Sequence, residues 1–443
     1  MEHQVIAAIE PAFWQIAAAA IIFLVTYAII ITEKLNRAAI AICGAGIMLL
    51  LGIVDLYTAF TVHIEWRTIF LLLGMMILVG MTNKTGIIQY LAIKGVQLVK
   101  GGPLRVLVIL SLLTGAGSAF LDNVTMVLLI VPVTIAITRE LKVTPVPYLI
   151  SEIMACNIGG TATLIGNPAN MMIGTANEHL SFQSFLIHMA PISIIIMIVT
   201  ILLLVLVFRK RLVVTEAARR DLMRLNAANY LQDRGLLRRA IVILALTAAG
   251  FLLHSVLNVE IAAVAIMGAL LLMLAGVSKK HVEETIGMLE WKTVFFFIGL
   301  FIVVGGMIET GVITKLVSMT LQIASGDIAY TSMLILWISG IASATIDHIP
   351  FVATMIPFIE RVGVELNITH PEQLNSLWWS LALGASLGGN GTLIGSSANV
   401  IAAGLASKAG KGFGFMDFIK IGAPVTLLSL LISTVYVQLF LLP

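Results

Sequence analysis

Residues 157–170 read Asn-Ile-Gly-Gly-Thr-Ala-Thr-Leu-Ile-Gly-Asn-Pro-Ala-Asn, and residues 386–399 read Ser-Leu-Gly-Gly-Asn-Gly-Thr-Leu-Ile-Gly-Ser-Ser-Ala-Asn. Each stretch lies in the middle of an apolar segment long enough to cross a bilayer, 148–178 and 376–406. Glycine lets a helix unwind there and lets backbone approach a ligand closely. Pro168 removes a backbone donor and disfavours helix at Asn167. Non-helical backbone at membrane depth survives only where protein buries it or it lines a water-filled cavity. The two stretches therefore announce a helical membrane protein with a paired, interrupted centre.

The pairing extends well beyond these two stretches. Glu65-Trp66-Arg67-Thr68-Ile69-Phe70 returns as Glu290-Trp291-Lys292-Thr293-Val294-Phe295, 225 residues later. The same offset relates Gly80 to Gly305, Thr85-Gly86 to Thr310-Gly311, Asp122 to Asp347 and Pro132 to Pro357. Thr163-Leu-Ile-Gly166 and Asn170 match Thr392-Leu-Ile-Gly395 and Asn399 at an offset of 229, so one small insertion separates the two registers. Apolar periodicity alone does not hold polar and glycine matches in register for a hundred residues. The chain is an internal duplication.

Composition agrees. Of 443 residues 59% are hydrophobic and 11% charged, where a soluble domain carries roughly 25% charged residues. Soluble-enzyme and nucleic-acid-binding classes are excluded. Two cysteines make neither a disulfide framework nor a metal site. No phosphate-binding loop occurs, so this chain does not hydrolyse ATP. The long continuous apolar runs read as helices, not as the alternating strands of a barrel. The N-terminal stretch lacks a basic leader, so its first apolar run is expected to stay as a helix.

Full crossings are expected at 12–32, 38–57, 66–82, 148–178, 184–208, 239–257, 259–277, 292–310, 376–406 and 418–442. Segments 103–138 and 329–358 are too long for one span and carry polar breaks at Asp122-Asn123 and Thr345–His348, which reads as two re-entrant hairpins. The basic stretch 209–239 holds nine Lys or Arg. Placing it in the cytoplasm leaves only Arg67, Lys315 and Arg361 of the 26 basic residues outside. Both termini then fall outside.

The expected fold is an all-α polytopic membrane protein built as an inverted repeat, residues 10–208 and 239–443, joined by a basic cytoplasmic linker, 209–238. Each half makes five crossings, an odd number, so the halves have opposite topology. Inverted repeats with broken helices are the architecture of alternating-access carriers.

Polar residues within the membrane concentrate at the two hairpin tips and the two interruptions. Among them are Asp122, Asn123, Thr125, Asn157, Thr161, Thr163 and Asn167 in the first half, and Asp347, His348, Asn390, Thr392, Ser396 and Ser397 in the second. With the backbone groups freed at the breaks, the Asn, Ser and Thr side chains are expected to form a small polar chamber. Any one Asn, Ser or Thr could merely join helices. An intramembrane carboxylate is costly and functional by default, so Asp122 and Asp347 are the expected proton- or cation-coupling groups, with His348 suited to proton exchange. None of these elements holds a Lys or Arg, which favours a cation or a neutral polyhydroxyl solute over a dianion. Glu152 could join a proton path or mark a helix end, and Cys156 reads as a buried structural thiol. Glu65-Trp66 and Glu290-Trp291 fit interface anchoring.

The motifs Leu121-Asp122-Asn123-Val124-Thr125 with Pro132, Asn157 to Pro168, Asp347-His348-Ile349-Pro350-Phe351 and Met355-Ile356-Pro357 resemble the ion transporter superfamily, in its branch of arsenite permeases, sodium/proton antiporters and P proteins. Relatives often carry Asn where His348 stands, and the paired Ser-Asn-Thr signatures of sodium-coupled dicarboxylate carriers are absent in that form. The resemblance implies a scaffold from the first three spans of each half (12–82 and 239–310), and an elevator-type transport domain from the hairpins, broken helices and final spans. Carried over residue by residue, it implies that Asp122, Asn123, Thr125, Asn157, Thr161 and Asn167 line a first half-site, and that Asp347, His348, Asn390, Thr392, Ser396 and Ser397 line a second. It also implies a homodimer in the cell's inner membrane.

Proton-coupled efflux of arsenite or antimonite as the neutral trihydroxide is the leading expectation. A sodium/proton antiporter, a small-anion permease and a passive channel are the alternatives. No cofactor or resident metal is implied; the linker could dock a cytoplasmic ATPase or simply be solvated.

Overall fold

A computed structural model describes residues 11–442 except 33, 178, 277–283, 285 and 288. Among the described residues the chain is helical throughout, and eight helices are long and apolar enough to cross a bilayer unaided. Two of the expected crossings form shorter helices, Arg37–Leu50 and Ile261–Gly276. The two interrupted crossings are divided, as the glycine-rich stretches require.

The chain folds into two compact units, each drawing on both sequence halves. Residues 1–65, 290–327 and 353–369 make the first; residues 66–289, 328–352 and 370–443 make the second. Within the first, Arg37–Leu50 lies against Trp291–Glu309. A Cβ on Gly299 would stand 2.5 Å from the backbone of Ala41, so glycine permits the crossing. Within the second unit, Trp66–Asn83 lies against Ile261–Gly276, and a Cβ on Gly74 would stand 2.7 Å from the backbone of Ala265. Gly74 and Gly299 are repeat equivalents. Each half's second span thus packs on the other half's third, and the duplication is a three-dimensional exchange as well as a sequence match.

Two helices were not anticipated from sequence. Ile87–Leu98 and Val312–Ala324 follow the third span of each half and are too short to cross a bilayer. Both begin at a left-handed glycine, Gly86 (φ 74°) and Gly311 (φ 70°). Both end at a positive-φ pair, Lys100-Gly101 and Ser325-Gly326. The Thr-Gly repeat marker in the sequence is therefore the start signal of these helices.

The expected tips are where the backbone breaks. Pro103–Ser118 and Asn123–Glu140 pack on one another across a turn at residues 119–122. Ile328–Thr345 and His348–Glu365 are separated by Ile346 and Asp347. The interruptions divide Val146–Thr161 from Pro168–Ala176 and Asn375–Gly388 from Ser397–Lys408.

The linker departs from a solvated tether. It forms a helix, Glu216–Met223, and a tight turn, Ala227–Tyr230, and buries Leu212, Leu222 and Ala227 in the second unit's core. The Gln97 amide donates to Leu225 O at 2.6 Å, and Gln232 N donates to Thr85 O at 3.1 Å. Ala218 and Leu222, one helical turn apart, are buried among the linker's eight basic residues and help to hold it down.

Candidate functional site

Close helix crossings bring the two interruptions within the second unit. The first hairpin arm crosses the first broken helix at Gly115 and Gly159, where a Cβ on Gly159 would lie 2.1 Å from Gly115 O. The second pair crosses at the equivalent Gly340 and Gly388, at 2.4 Å. Thr163 donates its hydroxyl to Ala119 O, and the equivalent Thr392 donates to Ala344 O. These bonds tie each interruption to its own hairpin tip.

Asn157 is the centre of the resulting cluster. Its amide donates to Asn390 Oδ1 at 2.9 Å and Asn399 Oδ1 at 3.1 Å. Its Oδ1 accepts from Asn123 Nδ2 at 3.0 Å and from Ser396 Oγ at 3.3 Å. Ser118 Oγ donates to Asn123 Oδ1 at 2.8 Å, and Asn390 Nδ2 donates to Met154 O at 3.2 Å. Asn167 Nδ2 donates to Ser386 Oγ at 3.1 Å. That contact and the Ser396–Asn157 contact are equivalents under exchange of the halves. The cluster is buried and built only from amides and hydroxyls.

In the sequence Asn170 and Asn399 are repeat markers, and Ser386 is part of the interruption. They are structural members of the cluster. Asn170 Nδ2 donates to Thr163 O at 2.9 Å and to Gly160 O at 3.3 Å. Asn399 Nδ2 does the same to Thr392 O and Gly389 O at 3.0 and 2.7 Å. The carbonyls released by unwinding are thereby satisfied by side-chain amides. Identical residues at both positions carried the signal for this role.

Other expected residues have local partners. Thr161 spends its hydroxyl on Asn157 O, one turn back. Asn167 Oδ1 caps Pro168–Ala176 by accepting from Asn170 N at 2.8 Å. Asp122 caps Asn123–Glu140 by accepting from Thr125 N at 3.0 Å, which uses the Thr125 backbone. Asp347 accepts from the Ser397 hydroxyl and, at 3.4 Å, from Ile349 N. The ring of His348 is buried, its Nδ1 3.3 Å from Asp347 Oδ1 without hydrogen-bond geometry. Charge on the ring would make this an ion pair.

A cavity of about 520 Å³ adjoins the first interruption, lined among others by Arg67, Leu164, Thr175, His179, His254 and Glu260. Arg67 Nε lies 3.5 Å from Glu260 Oε1, and His254 Nε2 accepts from Phe182 N at 3.3 Å. The cavity holds basic groups that the cluster lacks, and it meets the first interruption at Leu164.

A duplicated all-helical membrane protein with paired broken helices around a buried polar centre is a transporter fold. The family model described as "Citrate transporter" (CitMHS) matches residues 27–384, and the chain belongs to that family, within the ion transporter superfamily. The 46 kDa membrane protein of Mycobacterium leprae is 40% identical over 423 residues, 94% of this chain and 97% of its own. The mouse P protein is 32% identical over 521 aligned positions, which cover 98% of this chain and 61% of that longer protein. The fold matches the YdaH transporter of Alcanivorax borkumensis with a TM-score of 0.60, 13% identity and 98% coverage of both chains. The Neisseria gonorrhoeae MtrF structure, described as illuminating a class of antimetabolite efflux pumps, also gives 0.60, with 12% identity and 96% and 94% coverage.

Proposed function

We propose that this multi-pass membrane transporter is a proton-coupled secondary carrier whose solute binds at the asparagine cluster. One observation carries the reading: the buried cluster around Asn157 offers many neutral donors and acceptors and no basic side chain. Such a site suits a small uncharged polyhydroxyl solute, and arsenite or antimonite as the trihydroxide fits that chemistry. Asp347, paired with Ser397 and beside His348, is the proton-exchanging carboxyl. Asp122, engaged as a helix cap, has the lesser part. The carrier works as an elevator-type homodimer in the inner membrane, with both termini outside.

A specific observation favours a second reading, transport of a small carboxylate such as the citrate in the family's description. The cavity holding Arg67, His179 and His254 would gather an anion at the edge of the first interruption. Sodium/proton antiport is weaker, because Asn170 and Asn399 already occupy the carbonyls that would coordinate the ion.

Proteoliposomes with imposed pH and sodium gradients separate these readings. Arsenite flux driven by the pH gradient is the expected result. Citrate flux under the same gradient would replace the solute, and sodium-driven proton movement without either would replace the whole reading.

A further inference from the structure

Glu152 lies on the helix Val146–Thr161, five residues before Asn157, and none of the site's contacts uses it. It is 1% exposed. Its Oε1 accepts from the Thr134 hydroxyl, and its Oε2 is buried with no partner. The helices packed against this one are Pro103–Ser118, Asn123–Glu140, Ala190–Phe208, Asn375–Gly388 and Ser397–Lys408. Their charged residues are Arg105, Arg139, Glu140 and Lys408, all at helix ends and none buried; the helices at 190–208 and 375–388 carry none. Tyr148 on the same helix is turned to Pro103 O. Cys156, one turn along, and Asp122, the cap of the helix Asn123–Glu140, complete the titratable surroundings. An ionised carboxylate held by a single hydroxyl in such an enclosure would go uncompensated. The group is therefore a carboxylic acid in this state.

The duplication supplies an internal control. The equivalent of Glu152 is Leu381, and that of Thr134 is Ile359, both fully buried. The fold fills these positions with apolar side chains in one half, so it has no need of a carboxyl in the other. One helical turn from Glu152, and not hydrogen-bonded to it, Cys156 begins a run of protic groups that reaches the site. Cys156 Sγ donates to Ser118 Oγ at 3.3 Å or Asn123 O at 3.4 Å, Ser118 donates to Asn123, and Asn123 to Asn157.

We propose that Glu152 is a proton-binding site of the carrier: it holds one proton in this enclosed state, releases it to water in another state of the cycle, and so sets the response of transport to pH. The proposal rests on the proton-coupled reading above. It adds a second titrating group, in the first half, to Asp347 in the second.

The test uses the full chain in proteoliposomes and in detergent. Glu152→Gln keeps the shape of the protonated side chain. Arsenite exchange at equal pH on both sides should continue, while acceleration by a pH gradient is lost. Acceleration equal to wild type in this variant overturns the proposal. Infrared titration of the protein without solute reads the carboxyl directly, whatever the carrier moves. A component of the carboxylic-acid band that disappears at alkaline pH in the wild type and is missing from Glu152→Gln supports the proposal; a titrating band undiminished in the variant overturns it. If wild-type flux ignores the pH gradient, the coupled reading fails, and the infrared result still decides whether Glu152 titrates. The double variant Thr134→Ile with Glu152→Leu copies the second half and should melt no lower than the wild type. A lower melting temperature would make the carboxyl structural and overturn the proposal.

Discussion

At the first tip Asp122 caps its helix through Thr125 N, and Asn123 joins the amide cluster through Asn157. At the second tip Asp347 takes the Ser397 hydroxyl, and His348 stands where Asn123 would be. The repeat puts Pro168 at the position of Ser397, so the first aspartate has no equivalent hydroxyl to meet. Glycine crossings, carbonyl-satisfying asparagines and threonine ties are held in common. The groups able to exchange a proton or bind a solute differ. Shared residues build the turn twice, and the unshared ones give each copy its own chemistry.

The most disruptive way to probe the shared part is at the glycine crossings. Gly159→Ala would force a methyl group to 2.1 Å from Gly115 O, a backbone atom that cannot swing away. We expect about 3 kcal/mol or more of destabilisation, read as a lowered melting temperature in detergent. Gly388→Ala, at 2.4 Å from Gly340 O, should cost slightly less in the same assay. Equal and negligible losses would show that the two crossings are not the tight joints of the fold.

The unshared part is tested by Asp347→Asn beside Asp122→Asn. Asparagine also caps a helix, so both variants should fold. Proton-driven uptake should fall by about a hundredfold or more for Asp347→Asn, the scale of a lost acid–base group, and by less than about tenfold for Asp122→Asn. Equal losses would mean that Ser397 and His348 confer no special role on the second tip.

Much of this organisation was legible in the chain because it was written twice. Gly159-Gly160, Gly166, Asn170 and their copies stand out from an apolar background, and backbone sterics demand them. Asn157 was legible as a polar residue at depth but not as the hub, since its partners Asn390 and Asn399 lie more than 230 residues away. The helices after Gly86 and Gly311 escaped notice because a twelve- or thirteen-residue helix leaves no span-length hydropathy signal. The linker escaped for another reason: its basic charge masked the few apolar residues that anchor it.

Asn157→Ala compared with Ser386→Ala sharpens the contrast at the centre. The two positions are equivalent by repeat, but Asn157 bonds four neighbouring side chains and Ser386 bonds two. Removing Asn157 takes the acceptor from Asn123 Nδ2 and the donor from Asn390 Oδ1 and Asn399 Oδ1, and should cost about 2 kcal/mol against about 1 kcal/mol for Ser386. Solute affinity should follow the same order, measured by the solute concentration that protects against thermal unfolding.

The smallest effect is expected where the halves are most alike. Thr163 and Thr392 each donate a hydroxyl to the carbonyl of a hairpin-tip alanine, Ala119 and Ala344. Valine keeps the shape of threonine and removes the donor, so each substitution leaves one carbonyl unmet and should cost about 1 kcal/mol. The two costs should be equal, and the double variant should show their sum, because the ties belong to separate tips. A much larger loss at Thr392 would mean that the second tip depends on its tie to hold Asp347 against Ser397. The asymmetry would then extend into the scaffold of the turn itself.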